Sequence, residues 1–166
     1  MRDSHDPLQL LPDWLARRWS RRFGTEQARS MARILAQPAP LDLVARDDSA
    51  AALLAARLDA EVLPGGVLRL AQGGDVSALP GYEEGLFWVQ DWAAGLPARL
   101  LEGALESRGI TPQHPDALLV DLCAAPGGKT ARLAAAGWPV MAVDISPARL
   151  ARLQDNLARL KLEAMV

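Results

Sequence analysis

The spacing of apolar residues along the 166-residue chain changes period several times, and each change marks an element. Leu11, Leu15 and Trp19 recur every fourth residue, one stripe of a helix predicted over about 11–23. Pro12 falls in its first turn, where a missing N–H is tolerated. After Gly24-Thr25 a second helix is predicted. Ala28, Met31, Ala32 and Leu35 share a face, Arg29 and Arg33 lie off it, and Pro38 and Pro40 stop it. Leu41–Ala45 alternates as a strand does, and Asp48-Ser49 can cap an Ala- and Leu-rich helix reaching Leu58. Glu61–Pro64, Gly65-Gly66 and Val67–Leu70 read as strand, turn, strand. The Gly-, Pro- and acid-rich stretch 73–85 reads as a linker. Beyond it come a strand at 86–91, a helix at about 93–108 and a loop at 109–115. Strand 117–122, helix 129–136, strand 140–143, helix 147–160 and a third strand from Glu163 then alternate, which predicts a parallel sheet of the α/β class. The chain therefore divides into a small helical and α+β module, 1–75, and an α/β unit, 76–166.

Composition changes this picture little. Half the residues are apolar and 23% are charged, enough to bury a core and too apolar for a disordered tail. No run approaches the roughly 20 apolar residues of a membrane span. The opening Met1–Pro7 has no apolar stretch of the kind a secretory leader needs. A single cysteine, Cys123, excludes an internal disulfide, and a reducing cytoplasm is expected. Charge is more informative. Residues 1–46 hold eight Arg against five acids, 47–128 hold four Arg against twelve acids, and 129–166 hold six bases against three acids. Arg outnumbers Lys sixteen to two, and its planar fork suits phosphate contacts.

The segment Asp121-Leu122-Cys123-Ala124-Ala125-Pro126-Gly127-Gly128-Lys129-Thr130 lies between a predicted strand and helix, where doubly wound folds bind cofactors. Small residues let a ligand approach the backbone, and the helix start presents free N–H groups to it. Asp144 ends the next strand, sixteen residues after Gly128, where an acid can accept from both hydroxyls of a ribose. Three ligand chemistries compete. Gly128-Lys129-Thr130 ends like a nucleotide-binding P-loop, but Cys123 stands where that motif needs its first glycine. No G-x-G-x-x-G of a nicotinamide or flavin site occurs near the strand. The looser pattern of a methyltransferase loop, with acids ending both strands around small residues and paired glycines, is met by Asp121, Gly127, Gly128 and Asp144. A tight turn with no ligand is the remaining alternative.

Residues 121–130 closely resemble the S-adenosylmethionine loop of the Sun/RsmB-type RNA (cytosine-C5) methyltransferases. Val143–Ser146, Arg149-Leu150, Asn156-Leu157 and Arg159-Leu160 resemble that family's next motif, and Leu79–Gly85 with Val89-Gln90-Asp91 resembles the segment leading into its catalytic domain. Leu11–Leu15 and the Arg46-Asp47-Asp48 turn are similar to its RNA-binding N-terminal module. The resemblance implies the first half of a Rossmann-like methyltransferase domain over 76–166. It implies that Cys123, Ala124, Ala125, Pro126, Gly127, Gly128 and Lys129 wrap S-adenosylmethionine while Asp144 holds its ribose. Cys123 is then a loop residue, not a nucleophile. The implied substrate is RNA, ribosomal RNA if the family's bacterial members are the guide; neither a membrane nor a metal is expected as a partner.

The departures matter as much. After Gln90-Asp91 the family usually continues with small residues including Ser, whereas Trp92-Ala93-Ala94-Gly95 stands here. Family enzymes add a cysteine thiolate to cytosine C6, methylate the resulting enamine and use a second cysteine in product release. Both cysteines are expected downstream of Val166, so no catalytic residue is assigned and these residues alone are not expected to run the reaction; a non-catalytic RNA- or S-adenosylmethionine-binding protein is the alternative that their absence favours. A sheet cut after its third strand should also leave an open edge and uncovered apolar faces. Arg17, Arg18, Arg21 and Arg22 are candidates for phosphate contacts, with a solvated helix face as the plainer alternative. Of Trp14, Trp19, Trp88, Trp92 and Trp138, most are expected in the core. His5 and His114 lack metal-ligand spacing, and Gln90-Asp91 is a candidate support for the site.

Overall fold

The computed structural model describes residues 6–166, so His5 and most of the opening segment lie outside the described residues. The chain forms two compact units, Met1–Ala39 and Pro40–Val166. In the first, a 3-10 turn (Pro7–Leu10) precedes helices α1 (Asp13–Phe23) and α2 (Thr25–Leu35). Gly24 joins them at φ 86°, a conformation that side-chain-bearing residues rarely adopt. Ala28 and Ala32 of α2 are buried, while no residue of α1 is, so the Leu11–Leu15–Trp19 stripe is only half covered. Arg29 ties this unit together, reaching Asp6 at 3.0 Å and also pairing with Glu26.

The second unit begins with a four-stranded antiparallel sheet. Its strands β1 (Leu41–Ala45), β2 (Glu61–Leu63), β3 (Val67–Leu70) and β4 (Phe87–Val89) lie in the order β2-β3-β1-β4. Helix α3 (Asp48–Arg57) covers one face, with Leu54 and Leu58 packed against Leu43, Leu68 and Phe87. Its cap is Asp47, one residue earlier than the sequence suggests, whose carboxylate accepts from Ala50 N–H at 2.8 Å. Hydrogen bonds from Ser49, Ala50 and Arg46 hold the Asp47 carboxyl down at about 2. Asp42 sits buried mid-sheet. It accepts from Arg69 at 2.7 and 2.8 Å and from Trp92 N–H at 2.9 Å, and the Arg69 bonds set its pKa below the usual range.

A second sheet follows helix α4 (Trp92–Glu106). Strands β5 (Leu119–Leu122) and β6 (Val140–Val143) pair in parallel, with α5 (Gly128–Ala135) between them and α6 (Pro147–Leu160) after them. The predicted third strand is present as one parallel bridge, Met141 to Met165. One face of this sheet is covered: Val140 and Ala142 are buried, with Leu133, Trp138, Leu153 and Leu157 packed over them. Leu118, Val120, Leu122, Met141 and Val143 on the other face are exposed. A parallel sheet normally has both faces covered.

The two sheets are not separable at residue 75. Strand β4, placed by the sequence reading in the later domain, pairs with β1 through Leu43↔Val89, Val44↔Trp88 and Ala45↔Phe87. The sheet face bearing Val44, Val67 and Trp88 packs directly on Ala131 of α5 and Leu160 of α6. Nor is 73–85 a free linker. Leu79 and Tyr82 pack on the Leu43–Leu54–Phe87 core, and Arg159 donates to the Tyr82 carbonyl at 2.8 Å. Gly81 and Gly85 take positive φ in its turns, and Asp75 accepts from Ser77 N–H at 3.0 Å. Of the five tryptophans only Trp88 and Trp138 are buried, because α1 contributes nothing to a core and Trp92 turns its indole to the Pro64 carbonyl.

Candidate functional site

The loop leaves β5 at Leu122, and Cys123 at once takes a left-handed φ of 60° that turns the chain toward β6. Ala124 N–H then donates to Val143 O at 3.0 Å, extending the β5–β6 pairing by one bond. A tight turn closes with Gly127 N–H on Ala124 O at 2.8 Å, the Ala125–Pro126 peptide being cis. Gly127 has φ 107° and is the N-cap of α5. It has no side chain to satisfy the first N–H groups of that helix, which stay available to a polar or anionic group. The small residues the sequence singles out are needed for packing. A Cβ on Gly127 would lie 3.1 Å from Leu153 Cγ, and one on Gly128 would lie 3.2 Å from Gln90 Nε2.

Both acids of the motif have partners within the protein. Asp121 is buried and accepts from Thr130 Oγ1 at 2.7 Å, so it braces the first turn of α5. Asp144 ends β6 with its side chain fully buried. Its Oδ2 accepts from Ala125 N–H at 3.2 Å and its Oδ1 from Ser146 N–H at 3.0 Å. Loop and acid are thus in direct contact. Lys129 is half-buried, Cys123 exposed, and Leu122 and Ile145 rim the site at 71% and 97% exposure.

Three residues of α6 grip the loop: Arg149 and Asn156, which fall in the family-like motif after Asp144, and Leu153, which does not. Arg149 donates to the Ala125 carbonyl and stands 3.4 Å from Asp144 Oδ2. Asn156 Nδ2 donates to the Pro126 carbonyl at 3.1 Å, and Leu153 lies under Gly127. Their spacing, 149, 153 and 156, is one helical face, and that periodicity is the signal that adds Leu153 to the two motif residues. Gln90 is buried against Gly128 and accepts from Trp88 Nε1 at 3.1 Å. Asp91, by contrast, caps α4 through Ala93 and Ala94 N–H.

In the first unit Arg18, Arg21 and Arg22 line a cleft of about 620 Å³ with Trp14, Trp19 and Phe23. Arg17 lies outside it and pairs with Asp13 at 3.5 Å. Among the described residues no cluster of His, Cys, Asp or Glu could hold a metal ion, and no helix is long and apolar enough to cross a membrane.

A Gly-rich strand-to-helix loop joined to an acid at the end of the next parallel strand is the arrangement of a Rossmann-like methyltransferase domain. Solved structures share this fold. NSun6 from Pyrococcus horikoshii, solved with SFG, aligns at a TM-score of 0.70 and 16% identity over 96% of this chain and 65% of its own. A methyltransferase homolog from the same organism aligns at 0.67 and 20% identity over 94% and 56%. The profile of the family described as 16S rRNA methyltransferase RsmB/F matches residues 109–166. Ribosomal RNA small subunit methyltransferase B of Klebsiella pneumoniae is 37% identical over 98% of this chain and 37% of its own length. That of Cronobacter sakazakii is 45% identical over 60% of this chain and 21% of its own. The likeness to the RsmB/F family thus rests on a profile match over residues 109–166 and on these relatives, of whose length the chain spans well under half.

Proposed function

We propose that this chain binds S-adenosylmethionine and is part of an RNA (cytosine-C5) methyltransferase acting on ribosomal RNA. The observation that carries the proposal is the contact between the loop and the acid of the next strand, Ala125 N–H to Asp144 Oδ2. The family-profile match over residues 109–166 supports it, as does the structure of NSun6 with SFG, an analogue of S-adenosylmethionine, which shares this fold. The residues fit such a group. Cys123 to Lys129 would follow its length, and the uncapped N–H groups of α5 would meet its polar end. Leu122 and Ile145 offer apolar surface to a base, and Asp144 would receive the ribose. Bound there, the cofactor supplies an electrophilic methyl group.

What these residues contribute is binding and orientation. Asp121 fixes Thr130 and hence the helix start, Arg149 and Asn156 fix the two carbonyls of the turn, and Gln90 supports Gly128. The face of α1 bearing Arg18, Arg21 and Arg22 beside Trp14 and Trp19 suits RNA, with guanidinium groups for phosphate and indoles for bases. Arg17 extends the same basic stretch. The one cysteine sits in the cofactor loop, and the reaction needs a thiolate at the base. We therefore expect these 166 residues to bind donor and RNA without transferring the methyl group.

Calorimetry with S-adenosylmethionine and with ATP tests the proposal. Binding of the first and not the second is expected, and Asp144→Ala should weaken it by ~1–3 kcal/mol through lost charge-assisted hydrogen bonds. ATP binding alone would favour the P-loop chemistry of Gly128-Lys129-Thr130. Methyl transfer by this chain would overturn the assignment of a purely binding role.

A further inference from the structure

The Asp144 carboxylate has 0% exposure, although it ends its strand beside a loop open to solvent. An ionised carboxylate offers about four lone-pair positions. Two are filled by backbone N–H groups, Ala125 at 3.2 Å and Ser146 at 3.0 Å, which belong to the fold. The third neighbour is the Arg149 guanidinium, 3.4 Å from Oδ2 and also hydrogen-bonded to the Ala125 carbonyl. Of the three, only Arg149 can leave. Its side chain is 50% exposed on a long flexible stem. It also lies in the first turn of α6, where the helix dipole disfavours a cation. Only the carboxylate and the Ala125 carbonyl hold it there.

Accepting the proposal that Asp144 receives the ribose, we infer that Arg149 is a displaceable cover on that acid. With the guanidinium in place, a diol arriving from solvent finds no accessible carboxylate oxygen. With the guanidinium swung into water, Asp144 keeps its two backbone donors and presents its remaining lone pairs. Arg149 thus shields a buried charge in the absence of ligand and yields its position to the ribose hydroxyls. Apparent affinity is then the intrinsic affinity reduced by the fraction of molecules that are uncovered. Leu153 and Asn156, on the same helical face, hold the turn while Arg149 moves.

The test is titration of S-adenosylhomocysteine and of its 2′-deoxy counterpart into the full chain, its Arg149→Met and Arg149→Lys variants, and Asp144→Asn. Arg149→Met keeps the stem and removes the cover. It should bind S-adenosylhomocysteine roughly three- to tenfold tighter, as expected if the cover is closed most of the time. It should associate faster and melt at a lower temperature, so affinity and stability move in opposite directions. Arg149→Lys, with fewer directed hydrogen bonds, should fall between and serves if the Met variant does not fold. The gain should vanish with the 2′-deoxy ligand. Equal or weaker binding by the Arg149 variants overturns the cover. Unchanged affinity in Asp144→Asn, with no discrimination against the 2′-deoxy ligand in any variant, overturns instead the placing of the ribose on Asp144.

Discussion

Replacing Gly127 by Ala probes the loop most directly. At φ 107° the added Cβ meets its own backbone, a cost of ~1–2 kcal/mol for a left-handed residue. It would also lie 3.1 Å from Cγ of Leu153, a fully buried side chain with little room to retreat, which adds roughly 1–2 kcal/mol. The lower entropy of the unfolded Ala variant returns about 0.4–1 kcal/mol. A net loss of about 2–3 kcal/mol remains, or roughly 4–12 °C in melting temperature for a chain of this size. Gly128→Ala is the internal control. Its φ is not positive, and its Cβ would meet only the amide end of Gln90, at 3.2 Å. Thermal melts followed by circular dichroism should therefore rank Gly127→Ala clearly below Gly128→Ala, and calorimetry should show the larger loss of S-adenosylmethionine binding in the former. Two variants melting within a degree of each other would mean that the loop in solution does not have this geometry.

Other outcomes follow from the same structure. Asp42→Ala should destabilise the first sheet, since it leaves Arg69 and Trp92 N–H without their shared acceptor. Because the folded-state pKa of Asp42 is lowered, its contribution is complete above the ordinary carboxylate range and is lost as pH falls through the depressed value. Acid titration of wild type against Asp42→Asn should show the difference closing at low pH. The open face carrying Val120, Leu122 and Val143 should make the isolated chain self-associate. Light scattering after gel filtration checks this, with a monodisperse monomer as the contrary result. Replacing Arg18, Arg21 and Arg22 together by Gln should weaken RNA binding and flatten its salt dependence, as measured by filter binding at several ionic strengths, whereas an unchanged slope would leave that face a solvated one.

Sequence reading succeeded where period and spacing carry the information. The alternation of β5, α5, β6 and α6 was legible in full, as was the loop from Cys123 to Lys129, because strand and helix periods differ and the glycines sit between them. It failed where the decisive interaction is long in sequence. Nothing local to Phe87–Val89 reports that it pairs with Leu43–Ala45, so local pattern alone puts a domain edge through one packed body. The acids of the motif were legible as acids, but their partners were not. Thr130 on Asp121, and Ala125, Ser146 and Arg149 on Asp144, come from the folded geometry. The arginine-rich helix was legible as basic, yet which of its guanidinium groups share a cleft depended on the path of α1.

The hydrogen bond from the Trp88 indole to Gln90, whose amide lies against Gly128, has a practical use. It puts a native fluorophore, shielded from water, one side chain away from the proposed ligand loop. Any adjustment of the glycine pair would pass through that amide to the ring and alter its emission. With Trp14, Trp19 and Trp92 replaced, only the buried Trp88 and Trp138 remain, and the change in emission on adding ligand would serve as an optical gauge of loop occupancy, free of dye or label.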